Sequence, residues 1–212
     1  PTVKKPPQEA FTDVFGSELR SIARDDPRVQ AIVAAMPGST GLIPFAREFG
    51  DRFVDAGIAE QHAVGLAAGM AMRGLRPFVA IFSTFLMRAF DQINLDVGLL
   101  ELPVVFCVDR AGITGSDGPS HHGVLDASLA TRVPGMTVFA PSSAAELRLM
   151  MRTALTLSGP SLIRFPKAPA PVGPEFGVGA GLRARRVEGT GSDVCVIATG
   201  IGKSGIIARK IA

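Results

Sequence analysis

Over the first three-quarters of the chain, short apolar runs alternate with stretches whose apolar residues recur at helical spacing, and each change of period marks an element boundary. The pattern predicts a helix over about 10–25, a strand at Val29–Ala34 and a helical stretch near 42–49. A strand ending at Asp55 follows, then a helix after Glu60, a strand Pro77–Phe82 and a helix over about 84–99. Pro103–Val108 reads PVVFCV, a continuous apolar run of the kind shown by a strand buried on both faces. A polar, glycine-rich loop then covers 109–124, before a strand at 136–139, a helix at 143–157 and a strand at 161–164. Strands alternating with helices predict an α/β domain of three α/β/α layers around a mostly parallel sheet. In such sheets ligands lie at the carboxyl ends of the strands. Glu60, the Ser83-Thr84-Phe85 turn and the 109–124 loop all follow strand ends and are expected along one edge.

Beyond residue 165 the pattern lapses. Residues 166–192, rich in proline and glycine, read as a linker, as do the proline- and lysine-bearing residues 1–9, leaving 10–165 as the domain. Asp193–Ala198 reads as a new buried strand and 203–212 as the start of a helix, together the first strand and helix of a second α/β domain whose remainder is missing at 193–212.

Composition narrows the function classes. An apolar fraction of 47% indicates a well-buried interior, and no uncharged run with suitable flanks reaches the roughly 18 residues of a membrane span. The first residues lack the apolar core of a signal peptide, and Cys107 and Cys195 each sit in an apolar strand-like run, as reduced core residues of a cytoplasmic protein do. The net charge is only +3, and Arg183, Arg185 and Arg186 lie among turn residues without aromatics to stack on bases, so nucleic acid is not expected as a partner. Gly200-Ile-Gly202-Lys-Ser-Gly205 matches a dinucleotide-binding pattern, but its acidic partner would fall past residue 212, and a P-loop fails because position 197 is Ile. No spacing of His62, His121 and His122 matches a zinc site, and no metal ligand is assigned in this chain.

Candidate chemistry starts at Asp55-Ala-Gly-Ile-Ala-Glu60-Gln-His62. From Ala56 to Met72 Glu60 is the only charged side chain if His62 is neutral. A carboxylate at a buried strand-to-helix junction loses hydration and needs either a proton or a cation. Such a group can share a proton with a ligand. The alternative is a capping box, with Glu60 reaching back to the first backbone N–H groups of the helix. The second candidate is Asp109-Arg-Ala-Gly-Ile-Thr-Gly-Ser-Asp-Gly-Pro-Ser-His-His-Gly123, in which Arg110, Asp117, His121 and His122 put cation, anion and proton-transfer groups in one loop. That set suits a phosphorylated or carboxylated substrate undergoing acid–base chemistry.

With both segments in hand, GIAEQHAVGLAAG (57–69), STFLMRAFDQ (83–92), DRAGITGSDGPSHHG (109–123) and IRFPK (163–167) resemble, in order and spacing, the 1-deoxy-D-xylulose-5-phosphate synthase family of transketolase-like thiamin-diphosphate enzymes. The resemblance covers residues 8–212 and implies the middle, pyrimidine-binding domain plus the start of the C-terminal domain. It implies thiamin-diphosphate-dependent decarboxylation of pyruvate and transfer of the two-carbon unit to D-glyceraldehyde 3-phosphate, a transferase step feeding isoprenoid and thiamine biosynthesis in a homodimeric enzyme. It also implies roles. Glu60 would bind a ring nitrogen of the cofactor's aminopyrimidine, Phe85 would stack on that ring, and Phe82 and Arg88 would lie beside it. His121 and Asp117 would handle substrate polar groups and proton transfer with His62 close by, and Arg110 and Lys167 would face the acceptor's phosphate.

Two departures concern the acceptor region. Phe82 stands where the family usually has Tyr, and Pro166-Lys167-Ala168 stands where many members have Pro-Arg-Gly, so a hydroxyl and a bidentate fork are replaced. The family's Mg²⁺-holding Gly-Asp-Gly motif, followed about 30 residues later by Asn, is also absent, since the only Asn is Asn94. The diphosphate and Mg²⁺ are therefore expected on an N-terminal domain or partner chain missing from this sequence, and the isolated chain is expected to be inactive. Alternatives are the C-terminal subunit of a split transketolase, a 2-oxo-acid dehydrogenase E1 β subunit, or a non-catalytic interaction domain.

Overall fold

Six strands pair side by side in the order β2-β1-β3-β4-β6-β5, every neighbouring pair parallel. The computed structural model describes residues 8–171, and the elements are α1 (Phe11–Asp25), β1 (Val29–Val33), α2 (Ile43–Glu48), β2 (Phe53–Asp55), α3 (Glu60–Met72), β3 (Arg76–Phe82), α4 (Ser83–Leu86), α5 (Phe90–Gln92), β4 (Val105–Asp109), α6 (Asp126–Ala130), β5 (Thr137–Phe139), α7 (Ala144–Thr156) and β6 (Ser161–Arg164). Residues 1–7, the 172–192 part of the expected linker and the expected strand and helix of 193–212 lie outside the described residues. So do Cys195, Arg183, Arg185, Arg186 and the Gly200–Gly205 pattern.

Alternation along the strands builds the layers, because successive side chains point to opposite faces of a sheet. Ala31, Val33, Phe78, Ala80, Cys107 and Ile163 pack with Phe11, Phe15 and Leu19 of α1 and Leu147 and Met151 of α7. Ile32, Val79, Ile81, Phe106, Val108 and Leu162 face the other way, against Ala63, Val64, Ala67 and Ala71 of α3 and Ile93 and Val97 after α5. The buried positions of α3 are mostly alanine, which lets its backbone lie close to β1 and β3. Helix α7 starts on a side-chain cap: Ser143 Oγ accepts from the Glu146 N–H, and Glu146 Oε2 accepts from the N–H of Ser142, the residue before the cap, at 2.7 Å.

Several boundaries move, each for a local reason. β1 ends at Val33, one residue early, as the chain turns through Ala35 at φ 60°. β4 is displaced to Val105–Asp109, since Pro103 has no N–H to offer a ladder. The helix expected over 84–99 is a chain of pitches. Helix α4 runs into a 3₁₀ turn at Met87–Ala89, then α5, then a π-turn at Ile93–Gly98. Its last turn closes Gly98 against Val133 and Pro134, where a side chain would not fit. Helix α6 was not expected, because five residues are too few to show a period. Residues 166–171, the beginning of the expected linker, are tied to the domain: Ala170 N–H donates to Glu9 O at 2.8 Å and Ala144 N–H to Pro171 O at 3.2 Å.

The loop before α2 is pressed onto α1 backbone to backbone. A Cβ on Gly16 would collide with the carbonyl oxygen of Gly41, and Gly41 itself has φ 73° against Thr12. Gly16→Ala is expected to destabilise the domain by about 1–3 kcal/mol, as overpacking does. Gly50→Ala, where a Cβ meets nothing within 4 Å, should stay within about 0.5 kcal/mol of the parent. Urea unfolding of both variants checks the contrast, and equal midpoints would contradict this reading of the α1 contact.

Candidate active site

The sheet register brings two strand ends together, Phe82 of β3 lying opposite Asp109 of β4. Next to them the chain leaves β2 through a tight turn. Asp55 Oδ1 accepts from the N–H groups of Gly57 at 3.0 Å and Ala35 at 2.8 Å, and Gly57 takes φ 69°. The turn delivers Glu60 as the first residue of α3. Glu60 is 2% exposed, and its Oε1 accepts from Arg88 Nη1 at 2.8 Å. No backbone N–H donates to its carboxylate among the described residues, so the capping-box alternative is not what the helix start adopts. Its other oxygen has no protein donor there either.

A band of rings and cations runs from Glu60 across the strand ends. Arg88 lies over the Phe85 ring at 4.7 Å. The Phe85 and Phe82 rings are nearly parallel with centroids 6.0 Å apart, and His121 meets both rings edge-on. On the far side the Arg110 guanidinium sits over Phe82 at 4.1 Å. Phe85 is only half-buried, so part of its surface is open to a ligand.

The 109–124 loop is fixed over this band from within. Gly112 and Gly123 exchange backbone hydrogen bonds at 2.8 Å, and Thr84 Oγ1 donates to Ser120 O at 2.9 Å. Gly123 rests on Ser83 with no space for a Cβ. His122 Nδ1 lies 3.0 Å from Thr114 Oγ1, a contact that holds the loop. At the loop's start Arg110 takes φ 61°, a conformation that costs a non-glycine residue and persists only when its surroundings impose it. Asp109 supplies that constraint, its Oδ1 accepting the Arg110 N–H at 2.7 Å and its Oδ2 accepting from Arg110 Nη1 at 2.9 Å and Thr12 Oγ1 at 2.7 Å.

Glu60, Arg88, Phe85, Phe82, His121, Arg110, Asp117 and Lys167 thus form one connected set. Lys167 Nζ donates to Asp117 Oδ1 at 2.5 Å, and Arg110 Nε lies 3.9 Å from Asp117 Oδ2. The hydrogen bond from Lys167 holds the Asp117 carboxyl below the ordinary carboxylate range. His62 is exposed on α3, and no described hydrogen bond or ring contact joins it to this set. Sequence reading missed Asp109, Thr12 and the Ser39 carbonyl, which accepts from Arg110 Nη1 at 2.6 Å. It also missed the buried pair in which Arg164 Nε donates to Asp126 Oδ2 at 2.7 Å, anchoring the chain just after the loop. Asp109 directly precedes Arg110, but its other partner, Thr12, lies 97 positions upstream and no spacing announces it. Burial pushes the Cys107 thiol well up, which makes it an inert core group.

Residues 8–171 match the family model for the transketolase pyrimidine binding domain. Among curated proteins the chain is 48% identical over 206 residues to 1-deoxy-D-xylulose-5-phosphate synthase 1 of Geobacter sulfurreducens, covering 94% of this chain and 32% of that protein. It is 56% identical over 164 residues to the 1-deoxy-D-xylulose-5-phosphate synthase of Carboxydothermus hydrogenoformans, covering 77% and 26%. The chain thus spans about a third, or less, of the length of these relatives. Among solved structures it resembles a split gene transketolase (inactive β4 tetramer), with TM-score 0.70 and 32% identity over 78% of this chain and 54% of that one. The transketolase of Campylobacter jejuni, at 22% identity, TM-score 0.69 and coverage of 76% and 26%, shares the fold.

Burial raises the Asp109 carboxyl from 3.8 to about 6, against the opposing effects of Arg110 and Thr12. A carboxyl that binds its proton more tightly when folded adds stability below pH 3.8, and that stability is lost as pH rises towards 6. Asp117 and Glu48, both lowered, act in the opposite sense and in more acid solution. Urea unfolding of the parent minus that of Asp109→Asn should therefore fall between about pH 4 and 6, by on the order of 2 kcal/mol, and be flat above. A difference that is level across this window would contradict the buried placement of Asp109.

Proposed function

The chain belongs to the transketolase pyrimidine-binding domain family, and on that premise we propose that it supplies the pyrimidine-binding half of a thiamin-diphosphate enzyme of the 1-deoxy-D-xylulose-5-phosphate synthase type. The reaction proposed is decarboxylation of pyruvate with transfer of the two-carbon unit to D-glyceraldehyde 3-phosphate. The observation that carries this reading is Glu60, a carboxylate 2% exposed, with one oxygen on Arg88, the other without a protein donor among the described residues, and a half-buried aromatic ring in reach of the same arginine. A planar nitrogen heterocycle fits that combination of hydrogen-bonding oxygen and ring face. The high identity to synthases from two organisms supports the reaction class.

When bound, thiamin diphosphate supplies a nucleophilic carbon and an electron sink for loss of carbon dioxide. The chain's own residues hold and guard that chemistry. Glu60 would hold the heterocycle through a hydrogen bond between its second carboxylate oxygen and a ring nitrogen, and Arg88 keeps the carboxylate turned to the site. Phe85 and Phe82 present ring surface that excludes water, which strengthens the electrostatics of the pair. His121 is assigned proton transfer to substrate oxygens, supported by its position edge-on to both rings and 3.0 Å through Nδ1 from Ser120 Oγ. Arg110 and Lys167 are the cations for the acceptor's phosphate, and Asp117 lies between them. His62, exposed on α3, is assigned a supporting place at the rim.

The diphosphate and its Mg²⁺ are assigned to residues of another domain, supported by the lack of a Gly-Asp-Gly motif with a following Asn in this sequence. The likeness to a split gene transketolase favours a second arrangement, in which the two halves are separate chains. Association with a second copy is supported by large apolar side chains left exposed, among them Ile58 at 82% and Met72 at 67%. The buried free thiol of Cys107 suits a reducing, cytoplasmic setting.

Glu60→Gln in the assembled enzyme is expected to retain the fold and to slow hydrogen–deuterium exchange at the thiazolium carbon by about 10²-fold or more, because an amide cannot share the proton. Exchange at the parent rate would reject the role given to Glu60. Restoring the family's usual residues with Phe82→Tyr and Lys167→Arg should lower KM for D-glyceraldehyde 3-phosphate, by an amount matching about 1–3 kcal/mol, and leave KM for pyruvate alone. A shift in the pyruvate KM instead, or in neither, would remove both residues from the acceptor site.

A further inference from the structure

The Arg110 guanidinium is half committed. Nη1 donates to Asp109 Oδ2 at 2.9 Å and to Ser39 O at 2.6 Å, which uses both of its hydrogens. Among the described residues Nε is buried without a hydrogen-bond partner and Nη2 makes no hydrogen bond. The residue is 8% exposed, and its uncommitted Nε lies 3.9 Å from Asp117, which Lys167 holds. The Nε–Nη2 edge is the fork that takes an oxyanion through two parallel hydrogen bonds. An arginine that could rotate would present that edge only part of the time. Here the stacking on Phe82 fixes the plane of the group, and Asp109 and Ser39 fix its rotation within the plane.

Asp109 is in turn held from outside the loop. Its Oδ2 accepts from Thr12 Oγ1 at 2.7 Å, and Thr12 lies on α1, the helix pressed backbone to backbone on the segment that carries Ser39. We infer that Thr12 and Asp109 are positioning residues for Arg110, occupying one of its terminal nitrogens so that the Nε–Nη2 edge is left turned to the phosphate of the acceptor substrate. The inference rests on the acceptor site proposed above and adds to it a helix that reaches the substrate only through Asp109.

The test is kinetic, in the assembled enzyme, with D-glyceraldehyde 3-phosphate and pyruvate varied separately. Thr12→Val deletes one hydroxyl from a side chain of the same shape. It is expected to raise KM for the phosphate-bearing acceptor by about 3- to 10-fold, as loss of one such hydrogen bond does, with KM for pyruvate and kcat at saturating acceptor unchanged. Thr12→Ser, which keeps the hydroxyl, should restore the acceptor KM, and Asp109→Asn, which keeps the shape and removes the charge, should raise it further. A merely structural hydroxyl would lower the melting temperature of Thr12→Val and leave the acceptor KM alone, and that result overturns the inference. Arg110→Lys separates the positioning role from the acceptor site itself. An acceptor-selective defect there with none in Thr12→Val or Asp109→Asn overturns the positioning role only. No acceptor-selective effect in any of the variants overturns the acceptor site as well.

Discussion

Everything in the site depends on the cost of burying a carboxylate. Glu60 is almost wholly removed from water, and a charge so placed persists only with a partner close by. Arg88 meets that need from the 3₁₀ turn Met87–Ala89 that follows α4, with its Nη1 2.8 Å from Glu60 Oε1. Arg88 is itself half exposed and spread over Phe85, so the cation is solvated while the anion is not. This asymmetry leaves one carboxylate oxygen for a ligand. The ring under Arg88 also leads, through Phe82, to the charge pair of Asp109 and Arg110, in which both partners are buried.

The two pairs differ in how they are locked. Glu60 and Arg88 meet across two helices, with one hydrogen bond between them. Asp109 and Arg110 are neighbours in sequence, and their contact requires the left-handed backbone at Arg110, which the Asp109 side chain helps to hold. Thr12 and Ser39 add contacts from segments far upstream. One end of the band is thus a simple pair with capacity to spare, and the other is a network that commits one terminal nitrogen of its arginine and leaves the Nε–Nη2 edge. The proton-sharing role proposed for Glu60 calls for the former, and the anion-binding role proposed for Arg110 for the latter.

Much of this was legible in the sequence, for identifiable reasons. The layers follow from the short apolar runs of β1, β3 and β4, which burial on both sides of a parallel sheet imposes, and from the helical spacing of the segments between them. Glu60 was conspicuous because it is the one charge in an apolar stretch, and the 109–124 loop because its glycines and ionisable residues crowd together. The pitch changes after β3 were hidden, since Leu86, Ala89, Ile93 and Val97 keep ordinary helical spacing through them. The Thr12–Asp109 and Arg164–Asp126 contacts were hidden too, because they join segments whose proximity only the sheet order creates. Lys167 was read as facing a phosphate, and its bond to Asp117 could not be inferred from spacing.

The central claim is that the free oxygen of Glu60 is the pyrimidine anchor. The most direct measurement is a crystal structure of the assembled enzyme with thiamin diphosphate and Mg²⁺ bound. The account predicts a Glu60 carboxylate oxygen within hydrogen-bond distance of a pyrimidine ring nitrogen, Arg88 still paired to the other oxygen, and the ring against Phe85. A pyrimidine bound away from Glu60, or a Glu60 whose two oxygens are both taken up by Arg88, would contradict it.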